Sequence, residues 1–413
     1  MPTNRKAAAG SGHARQNATG VVATKTPEPR TALITGGSGF LGRHLVELLV
    51  ERGYNVIVVD LKLFPFTEYS ESELVKSLRS QVRDISVDIG NYDALWEALR
   101  SVPRIDAVFH CATASPTAAN AANRKLMEYV NIEGTKQVIR FCLERGIRYL
   151  VYTSSASVVF AGLDLIDVDE ESAPLAKKDI DFYTYTKRVA EQLVLQTASS
   201  SSTDPARRVL YAVALRPSGI FGEYDPLFIP TLVSRARQGR MKYIIGSGRN
   251  AMDWTYVKNV AEAHYLAAEA LQESDKRAKQ LTGKAYFITN GDPRSFWGFL
   301  GSILQGLGYP PPRHRLPFAL VYSIAWLVVL IDAVARLLGR SLSTDFTPGR
   351  VLLATCERRV SCAAARRDLG YNPRFSIEDG LERTLRWFRS RGLAAQTEAP
   401  MVQSVPKPVA TTT

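Results

Sequence analysis

The chain has 413 residues, of which 46% are hydrophobic and 22% charged, and its formal net charge is +12. These proportions are ordinary for a folded protein, so the composition excludes a chain that is disordered throughout. Four cysteines without a C-x-x-C pair exclude a disulfide framework and the common zinc spacings, which predicts reduced thiols and no metal site. The positive charge suits a membrane surface or small anions, and because nucleic-acid-binding motifs are absent from the sequence we expect no nucleic-acid partner.

Residues 1–30 show no periodicity and carry five Lys or Arg against one Glu, so we expect a loose basic tail. Short apolar runs then alternate with helical patterns. The predicted strands are 31–35, 55–59, 105–110, 149–153 and 209–215, and the predicted helices are 41–52, 94–100, 129–145 and 186–197. Such alternation is typical of a parallel sheet covered on both faces, which predicts an α/β fold with a Rossmann-type, doubly wound sheet.

We expect this doubly wound domain to occupy residues 31–215. Residues 216–392 have a more mixed pattern, which predicts a smaller substrate domain that is partly interleaved with the first. Residues 393–413 are rich in Pro, Thr and Val, which predicts a second loose tail.

A glycine-rich turn follows the first predicted strand and opens the first helix. Gly36, Gly39 and Gly42 have the G-x-x-G-x-x-G spacing of dinucleotide-binding proteins. Such glycines allow an unusual turn and a close approach to a pyrophosphate at the helix N-terminus. Asp60, at the end of the second strand, is placed to bind the adenosine ribose and to repel a 2′-phosphate, which favours NAD over NADP. Lys62 could soften this preference, and a solvated loop acid is the alternative role for Asp60.

Tyr183 and Lys187 are a tyrosine and a lysine at positions i and i+4, and Lys187 lies near the start of the predicted helix 186–197. This spacing places both side chains on one helical face. An ammonium beside a phenol stabilises the phenolate and lowers its pKa, so the pair can move a proton while a nicotinamide moves a hydride. Tyr185 is out of register with Lys187, so we expect it to be structural. Hydroxyls in residues 153–157, after a predicted strand, could orient a substrate oxygen.

These motifs, in this order, resemble the extended short-chain dehydrogenase/reductases over about residues 31–392. The resemblance implies a catalytic set of Ser155, Tyr183, Lys187 and Asn131. It also implies contacts with the cofactor from one group of residues, some of them in the glycine turn and the others at the ends of later strands. The implied group is Gly36, Ser38, Gly39, Phe40, Leu41, Gly42, Asp60, Asp88, Ile89, Ala112, Lys187 and Pro217.

Within that family, residues 108–112, 153–159, 181–187 and 346–351 are similar to the 3β-hydroxysteroid dehydrogenase branch, above all to its decarboxylating members. This resemblance implies NAD-dependent oxidation (NADP is possible) of the 3β-hydroxyl of a 4α-carboxy sterol, with loss of CO2, in sterol C4 demethylation. It further implies a homodimer, other C4-demethylation enzymes as partners, and the cytosolic face of the endoplasmic reticulum membrane.

Alternative functions are a 3β-hydroxysteroid dehydrogenase/isomerase or another NAD(P)-dependent alcohol dehydrogenase or reductase that releases no CO2, a nucleotide-sugar epimerase, and a non-catalytic NAD sensor. An epimerase would have no use for an apolar segment, and a sensor would have no need of the tyrosine–lysine pair. No Lys or Arg is assigned to the substrate carboxylate.

The segment 316–339 is apolar and carries no charge from residue 316 to 331. Sixteen uncharged residues fall short of the roughly 20 that span a bilayer. Three charged residues then recur every four positions, which favours an interfacial or re-entrant membrane anchor. The alternative is a buried helix of the substrate domain.

Overall fold

The computed structural model describes residues 29–64, 77–115, 123–173, 175–203, 208–338 and 346–395, so most of both predicted tails lies outside the described residues. Strands are numbered in chain order. They are β1 (Thr31–Thr35), β2 (Asn55–Asp60), β3 (Val82–Ser86), β4 (Ala107–His110), β5 (Tyr149–Thr153), β6 (Leu165–Val168), β7 (Tyr211–Pro217), β8 (Ile220–Phe221), β9 (Tyr243–Ile245), β10 (Ala251–Met252), β11 (Thr255–Tyr256), β12 (Ala285–Ile288), β13 (Arg294–Ser295), β14 (His314–Leu316) and β15 (Arg358–Val360).

Helices are numbered in the same way, leaving out short 3₁₀ and π turns. They are α1 (Phe40–Glu51), α2 (Tyr92–Leu99), α3 (Arg124–Glu128), α4 (Gly134–Arg145), α5 (Phe182–Thr203), α6 (Phe228–Arg237), α7 (Val257–Gln272), α8 (Asp275–Leu281), α9 (Phe296–Gly306), α10 (Phe318–Leu337), α11 (Pro348–Thr355), α12 (Ala363–Leu369) and α13 (Ile377–Ser390).

The central feature is a seven-stranded sheet in the order β3-β2-β1-β4-β5-β7-β12, in which every pair is parallel. Strands β4 and β7 are buried along their whole length, because helices cover both faces of the sheet. The strand order reverses between β1 and β4, and in such sheets ligands bind outside the carboxyl ends of the strands at that point. The predicted Rossmann-type α/β fold is therefore confirmed.

Two apolar layers hold the helices to the sheet. On one face, α1 and α7 supply Leu45, Leu49 and Val260 to a core that continues into the C-terminal part of the chain. On the other face, α2, α4 and α5 pack against the same strands through residues such as Val138 and Val194. This double coverage places the start of α5 at the carboxyl edge of the sheet.

The region predicted as the substrate domain shares the central sheet. Strand β12 pairs with β7, and α7 packs along α1. The remaining strands form small sheets, β13-β10-β15-β6, β11-β8 and β14-β9. Because β8 follows β7 after a two-residue turn, the β11-β8 sheet is connected to the carboxyl edge of the main sheet. The two predicted regions are therefore interleaved around the same edge.

Helix α10 is apolar, exposed, and long and apolar enough to cross a membrane. Only 11% of its apolar window is buried. Val321 and Ala325 pack against Val351 of α11, whereas residues such as Trp326 and Leu330 are more than half exposed. The helix is thus not the buried element of the substrate domain that the sequence left open as an alternative.

Candidate active site

The turn between β1 and α1 is shaped by close backbone approach. Gly36 has a φ of +72°, and its amide donates to the carbonyl of Val59 over 2.7 Å. A Cβ at Gly36 would lie 2.6 Å from the Ala112 amide nitrogen, and one at Gly42 would lie 2.1 Å from the Gly36 carbonyl oxygen. The first turn of α1 is therefore pressed against the loop, and its free amides form a cradle that suits a pyrophosphate.

Four further residues predicted to contact the cofactor lie in or beside this turn. Gly39 precedes α1 and Phe40 begins it. Within α1, the Leu41 side chain is buried, whereas the Phe40 side chain is half-buried. Ser38 is buried at the side that faces β2.

Asp60 ends β2 beside this turn. One carboxylate oxygen accepts from the Ser38 amide (3.1 Å) and the other accepts from the Lys62 amide (3.3 Å). Burial raises the pKa of Asp60, and these amide hydrogen bonds and the charge of Arg43 oppose the rise. The Arg43 guanidinium lies 3.2 Å from the Phe64 ring centroid. The carboxylate is thus held beside the glycine turn with Arg43 nearby, and its contact with a ribose stays a prediction.

The remaining predicted cofactor contacts follow the carboxyl ends of other strands. Asp88, after β3, accepts from the Tyr129 hydroxyl over 3.2 Å, and Ile89 beside it is buried. Ala112 follows β4 and lies against Gly36, and Pro217 ends β7. Parallel strands bring these ends to one edge, so the predicted cofactor contacts all border the same crevice.

Tyr183 and Lys187 lie one turn apart near the start of α5, as their spacing predicts. The Asp181 side chain precedes the helix and accepts from the Thr184 amide over 2.8 Å, as an N-cap does. Tyr183 thereby lies in the first turn, where the partial positive charge of the helix end favours a phenolate. Tyr185 instead stacks on Phe182, with ring centroids 5.4 Å apart, which agrees with a structural role.

Lys187 is buried and held against the sheet. Its ammonium donates to the Thr153 carbonyl over 2.5 Å and lies 4.5 Å from the Tyr152 ring centroid. Burial lowers the pKa of Lys187 to about 8, although Cys111 and Glu191 favour its charged form. Burial therefore makes the charged form of Lys187 less stable than that of an exposed lysine, although the group remains mostly protonated near neutral pH.

The Tyr183 phenol is a weak acid in this structure. Burial and then the negative charge of Asp181 raise its pKa to about 12, and a hydrogen bond from Thr113 opposes the rise. Lys187 is not among the groups that shift the pKa of Tyr183, and its ammonium donates to the Thr153 carbonyl. The lowering of the tyrosine pKa by the lysine stays a prediction.

Ser155 follows β5 and caps a short 3₁₀ turn, Ala156–Val159, which packs against α5. Its hydroxyl accepts from the Ser157 amide (3.2 Å) and the Ser157 hydroxyl (2.9 Å), so its own proton is available to a substrate. The buried hydroxyls of Ser154 and Tyr152 have no hydrogen-bond partner among the described residues.

Asn131 lies in a π turn, Tyr129–Glu133, between α3 and α4, a distortion often found at functional sites. Its side-chain oxygen accepts from the Ala114 amide (2.7 Å), and its side-chain nitrogen donates to the Thr186 hydroxyl (2.9 Å). Because Thr186 lies next to Lys187 on α5, Asn131 connects the loop after β4 to α5. A direct catalytic role for Asn131 stays a prediction.

His110 ties this turn to the glycine loop. The Thr135 hydroxyl donates to the Asn131 carbonyl (2.7 Å), so it accepts from Nε2–H of His110 over 2.9 Å. Nδ1 of His110 then accepts from the Thr35 hydroxyl over 2.6 Å. Burial lowers the pKa of His110 to about 3, which keeps the ring neutral and this tautomer fixed.

Sequence reasoning missed two supporting networks around Lys187. Glu191, one turn further along α5, forms a buried bidentate ion pair with Arg216 of β7, at 2.6 and 2.9 Å. The Thr153 hydroxyl contacts Nε2 of His264 (2.7 Å) and the Cys111 sulfur (3.2 Å). The Lys-x-x-x-Glu spacing could have revealed the first network, but no local signal connects β5 to α7.

Comparison with known proteins assigns the family. Residues 33–319 match the 3-beta hydroxysteroid dehydrogenase/isomerase family. The chain belongs to this family. It is 41% identical over 355 residues to the mouse (Mus musculus) sterol-4-alpha-carboxylate 3-dehydrogenase, decarboxylating, covering 86% of this chain and 90% of that protein. It is 36% identical over 360 residues to the Saccharomyces cerevisiae enzyme of that name, covering 86% and 97%. The resemblance predicted from the motifs is thereby confirmed.

A plant relative and solved structures extend the comparison. The chain is 36% identical to the Arabidopsis thaliana 3beta-hydroxysteroid-dehydrogenase/decarboxylase isoform 1, covering 92% of this chain and 84% of that protein. Its fold is similar to dTDP-glucose 4,6-dehydratase from Streptomyces venezuelae with NAD bound (TM-score 0.62, 22% identity, 88% and 98% of the chains). It is also similar to the NAD complex of Thermus thermophilus UDP-glucose 4-epimerase (TM-score 0.62, 21% identity, 87% and 99%).

The glycine turn gives a first prediction. Gly42→Ala places a Cβ 2.1 Å from a backbone oxygen that cannot move away without opening the turn. We expect a loss of about 1–3 kcal/mol in unfolding free energy, and dinucleotide binding weakened by at least roughly tenfold. Gly301→Ala is the matched control, because its Cβ would lie an ordinary 3.5 Å from Pro311 inside α9. Urea unfolding and dinucleotide titration would contradict the prediction if both variants behaved alike.

The buried lysine gives a second prediction. The pKa of Lys187 is about 8 in the folded chain and 10.5 in the unfolded chain, so the unfolded chain binds this proton more tightly. Burial of Lys187 therefore lowers the unfolding free energy by its full amount below pH 8, and this destabilisation fades as the pH rises to 10.5. Lys187→Met should raise the unfolding free energy at pH 7 by up to about 3 kcal/mol. The gain should shrink towards pH 10. Lys276→Met, on the exposed face of α8, is the control, and a gain that is independent of pH would refute the assignment.

Proposed function

We propose that the protein oxidises the 3β-hydroxyl of a 4α-carboxy sterol to the 3-ketone with loss of CO2, using NAD, within sterol C4 demethylation. The observation that carries the proposal is a complete Tyr183–Lys187 pair on α5 at the carboxyl edge of a dinucleotide-type sheet. The relatives named as decarboxylating sterol dehydrogenases, at 36–41% identity over most of the chain, support the choice of substrate.

NAD fits the residues that are present. The cradle of the glycine turn suits the pyrophosphate, and a Cβ at Gly36 would fill the space beside Ala112. Asp60, held by the Ser38 amide, faces the position of the ribose and would repel a 2′-phosphate. The nearby Arg43, together with Lys62 two residues after Asp60, favours NADP as a second cofactor.

Bound NAD would supply the acceptor for the hydride that leaves C3. Tyr183, ionised, takes the proton of the substrate hydroxyl, and Ser155 donates a hydrogen bond to the same oxygen. Since the pKa of Tyr183 is raised to about 12 by burial and Asp181, the phenolate requires the positive helix end and the Lys187 ammonium, once the latter turns from the Thr153 carbonyl towards the site. Asn131 holds Thr186 and so fixes the turn of α5 between the two.

Loss of CO2 then follows from the product itself. The 3-ketone lies beta to the 4α-carboxylate, so the C–C bond electrons pass into the ketone as an enolate when CO2 leaves. Ser155 and Tyr183 are placed at the same oxygen and would donate to the developing negative charge. No further acid or base is needed for this step, because the ketone is the electron sink.

The substrate suggests where the protein works. A sterol partitions into lipid, and exposed α10 offers an apolar surface that would keep the enzyme at a membrane. We place it on the cytosolic face of the endoplasmic reticulum, beside other enzymes of sterol C4 demethylation. A homodimer formed by helices near α5 completes the proposal.

A dehydrogenase that releases no CO2 is the second candidate, because the family includes dehydrogenase/isomerases. The names of the relatives favour the decarboxylating activity. The epimerase and dehydratase likenesses, at 21–22% identity, extend to the fold alone. CO2 capture therefore separates the two candidates.

The proposed activity predicts the products of the reaction and the effect of removing the Tyr183 hydroxyl. We expect purified protein, a 4α-carboxy-3β-hydroxy sterol and NAD to yield NADH and CO2 in equal amounts. Tyr183→Phe should lower kcat by about 10²–10⁴-fold, because the proton acceptor is lost while the ring remains. Tyr185→Phe is the matched control, since its ring packs on Phe182 outside the site.

The outcomes of this assay differ in meaning. NADH without CO2 would replace the proposal by a simple 3β-hydroxysteroid dehydrogenase. An active Tyr183→Phe variant would remove Tyr183 from the mechanism. Absence of both products, with NAD binding intact, would leave the family standing and reject this substrate.

Cofactor preference gives a further prediction. Asp60→Ser removes the carboxylate that repels a 2′-phosphate, while Arg43 stays in place. We expect the ratio of kcat/KM for NADP to that for NAD to rise by roughly tenfold or more. Asp88→Asn is the control, because Asp88 lies on the adenine side by Tyr129. An unchanged ratio in Asp60→Ser would show that Asp60 does not select the cofactor.

A further inference from the structure

Four exposed cationic side chains lie near the N-terminal end of α10. Strands β9 and β14 pair in parallel, with Tyr243 opposite His314 and Ile244 opposite Arg315. The amide of Arg313 donates to the carbonyl of Lys242 over 3.0 Å, so the residues before each strand are also adjacent. We call Arg240, Lys242, Arg313 and Arg315 the basic patch, and all four side chains are exposed.

The charge of this region is unbalanced. The stretches 226–252 and 293–331 contain eight Lys or Arg and no Asp or Glu. None of the four cations of the basic patch forms an ion pair with any residue in the described ranges, whereas surface arginines elsewhere, such as Arg100 and Arg386, are paired. Unpaired cations of one sign on neighbouring strands produce a local positive potential that suits an anionic partner.

The basic patch adjoins the apolar helix directly. Leu316 ends β14, Pro317 follows, and α10 begins at Phe318. The exposed Tyr243 ring lies tilted beside His314, with ring centroids 6.0 Å apart, and the Phe318 ring stacks on Tyr322, with centroids 5.2 Å apart. A sequence of cations, then aromatic rings, then an exposed apolar surface matches the order of headgroup, interface and hydrocarbon in a bilayer.

The chain returns to the protein body after α10. Val351 of α11 packs on Val321 and Ala325 in the first half of the helix, so the residues after α10 lie on the same side as those before it. Asp332 is mostly buried and pairs with Arg336 at 2.8 Å. The second half of the helix, including Leu330 and Leu337, is exposed. This arrangement fits insertion into one leaflet and not a crossing.

We propose that the basic patch binds the headgroups of anionic phospholipids and thereby sets the orientation in which α10 enters one leaflet. The inference rests on the membrane association stated under the proposed function and names the lipid class that the protein selects. Each Lys or Arg near an anionic lipid surface adds about the same increment of attraction, and salt screens it. The apolar helix supplies the depth of binding, and the basic patch supplies the preference for negative charge.

The test is flotation of the full-length protein with vesicles of phosphatidylcholine alone or with 30% phosphatidylserine. We expect wild type to prefer the anionic vesicles and to lose that preference in high salt. Arg313→Gln combined with Arg315→Gln should weaken anionic binding by roughly 30-fold and leave neutral binding unchanged. Lys276→Gln with Lys279→Gln is the control, because it removes the same charge from exposed residues of α8.

Three results would overturn the proposal. The first is equal binding of wild type to neutral and anionic vesicles. The second is an equal loss of anionic binding in the patch variant and the control variant. The third is the absence of vesicle binding by a protein that instead forms a dimer through α10. Turnover of detergent-dispersed sterol is measured in parallel and should be the same in the patch variant and wild type. Absent turnover with intact lipid preference would reject the proposed function alone.

Discussion

The burial of one ammonium group organises the site. Lys187 is 3% exposed, and a charge in such a place needs partners. The Thr153 carbonyl supplies one, and Glu191 supplies negative charge one turn away, itself neutralised by Arg216. These contacts bind α5 to β5 and β7, so the helix that carries the tyrosine is fixed to the two strands whose ends form the crevice.

The same burial shifts the pKa values of both members of the tyrosine–lysine pair. The pKa of Lys187 is lowered to about 8 and that of Tyr183 is raised to about 12, both mainly because water is excluded. An ammonium turned towards an ionised phenol would offset both effects together, because each charge favours the other. A ligand that draws Lys187 towards Tyr183 is therefore expected to ease the ionisation of the phenol.

Local patterns predicted the parts of the site that lie close together in sequence. The glycine spacing, Asp60 and the Tyr183–Lys187 pair depend on a single turn or helix. Contacts between residues that are distant in sequence could not be predicted from local patterns. Thr153 and His264 are 111 residues apart, and Glu191 of α5 pairs with Arg216 of β7. The start of α5 was predicted too late because the cap made by Asp181 was not recognised, and β7 extends to Pro217 because β12 pairs with it.

Helix α11 contacts both the exposed apolar helix α10 and the chain segment that leads into α5. Its Val351 packs on α10, while a Cβ at its Gly349 would lie 3.1 Å from the carbonyl oxygen of Ile180, just before the cap of α5. Leu352 of the same helix approaches Gly162, beyond the turn that Ser155 caps. Helix α11 therefore contacts both the helix that is proposed to meet lipid and the residue that precedes the cap of α5. Through these contacts the position of α10 is coupled to the start of the helix that carries Tyr183 and Lys187, which gives a physical reason for an exposed apolar helix to be part of this region.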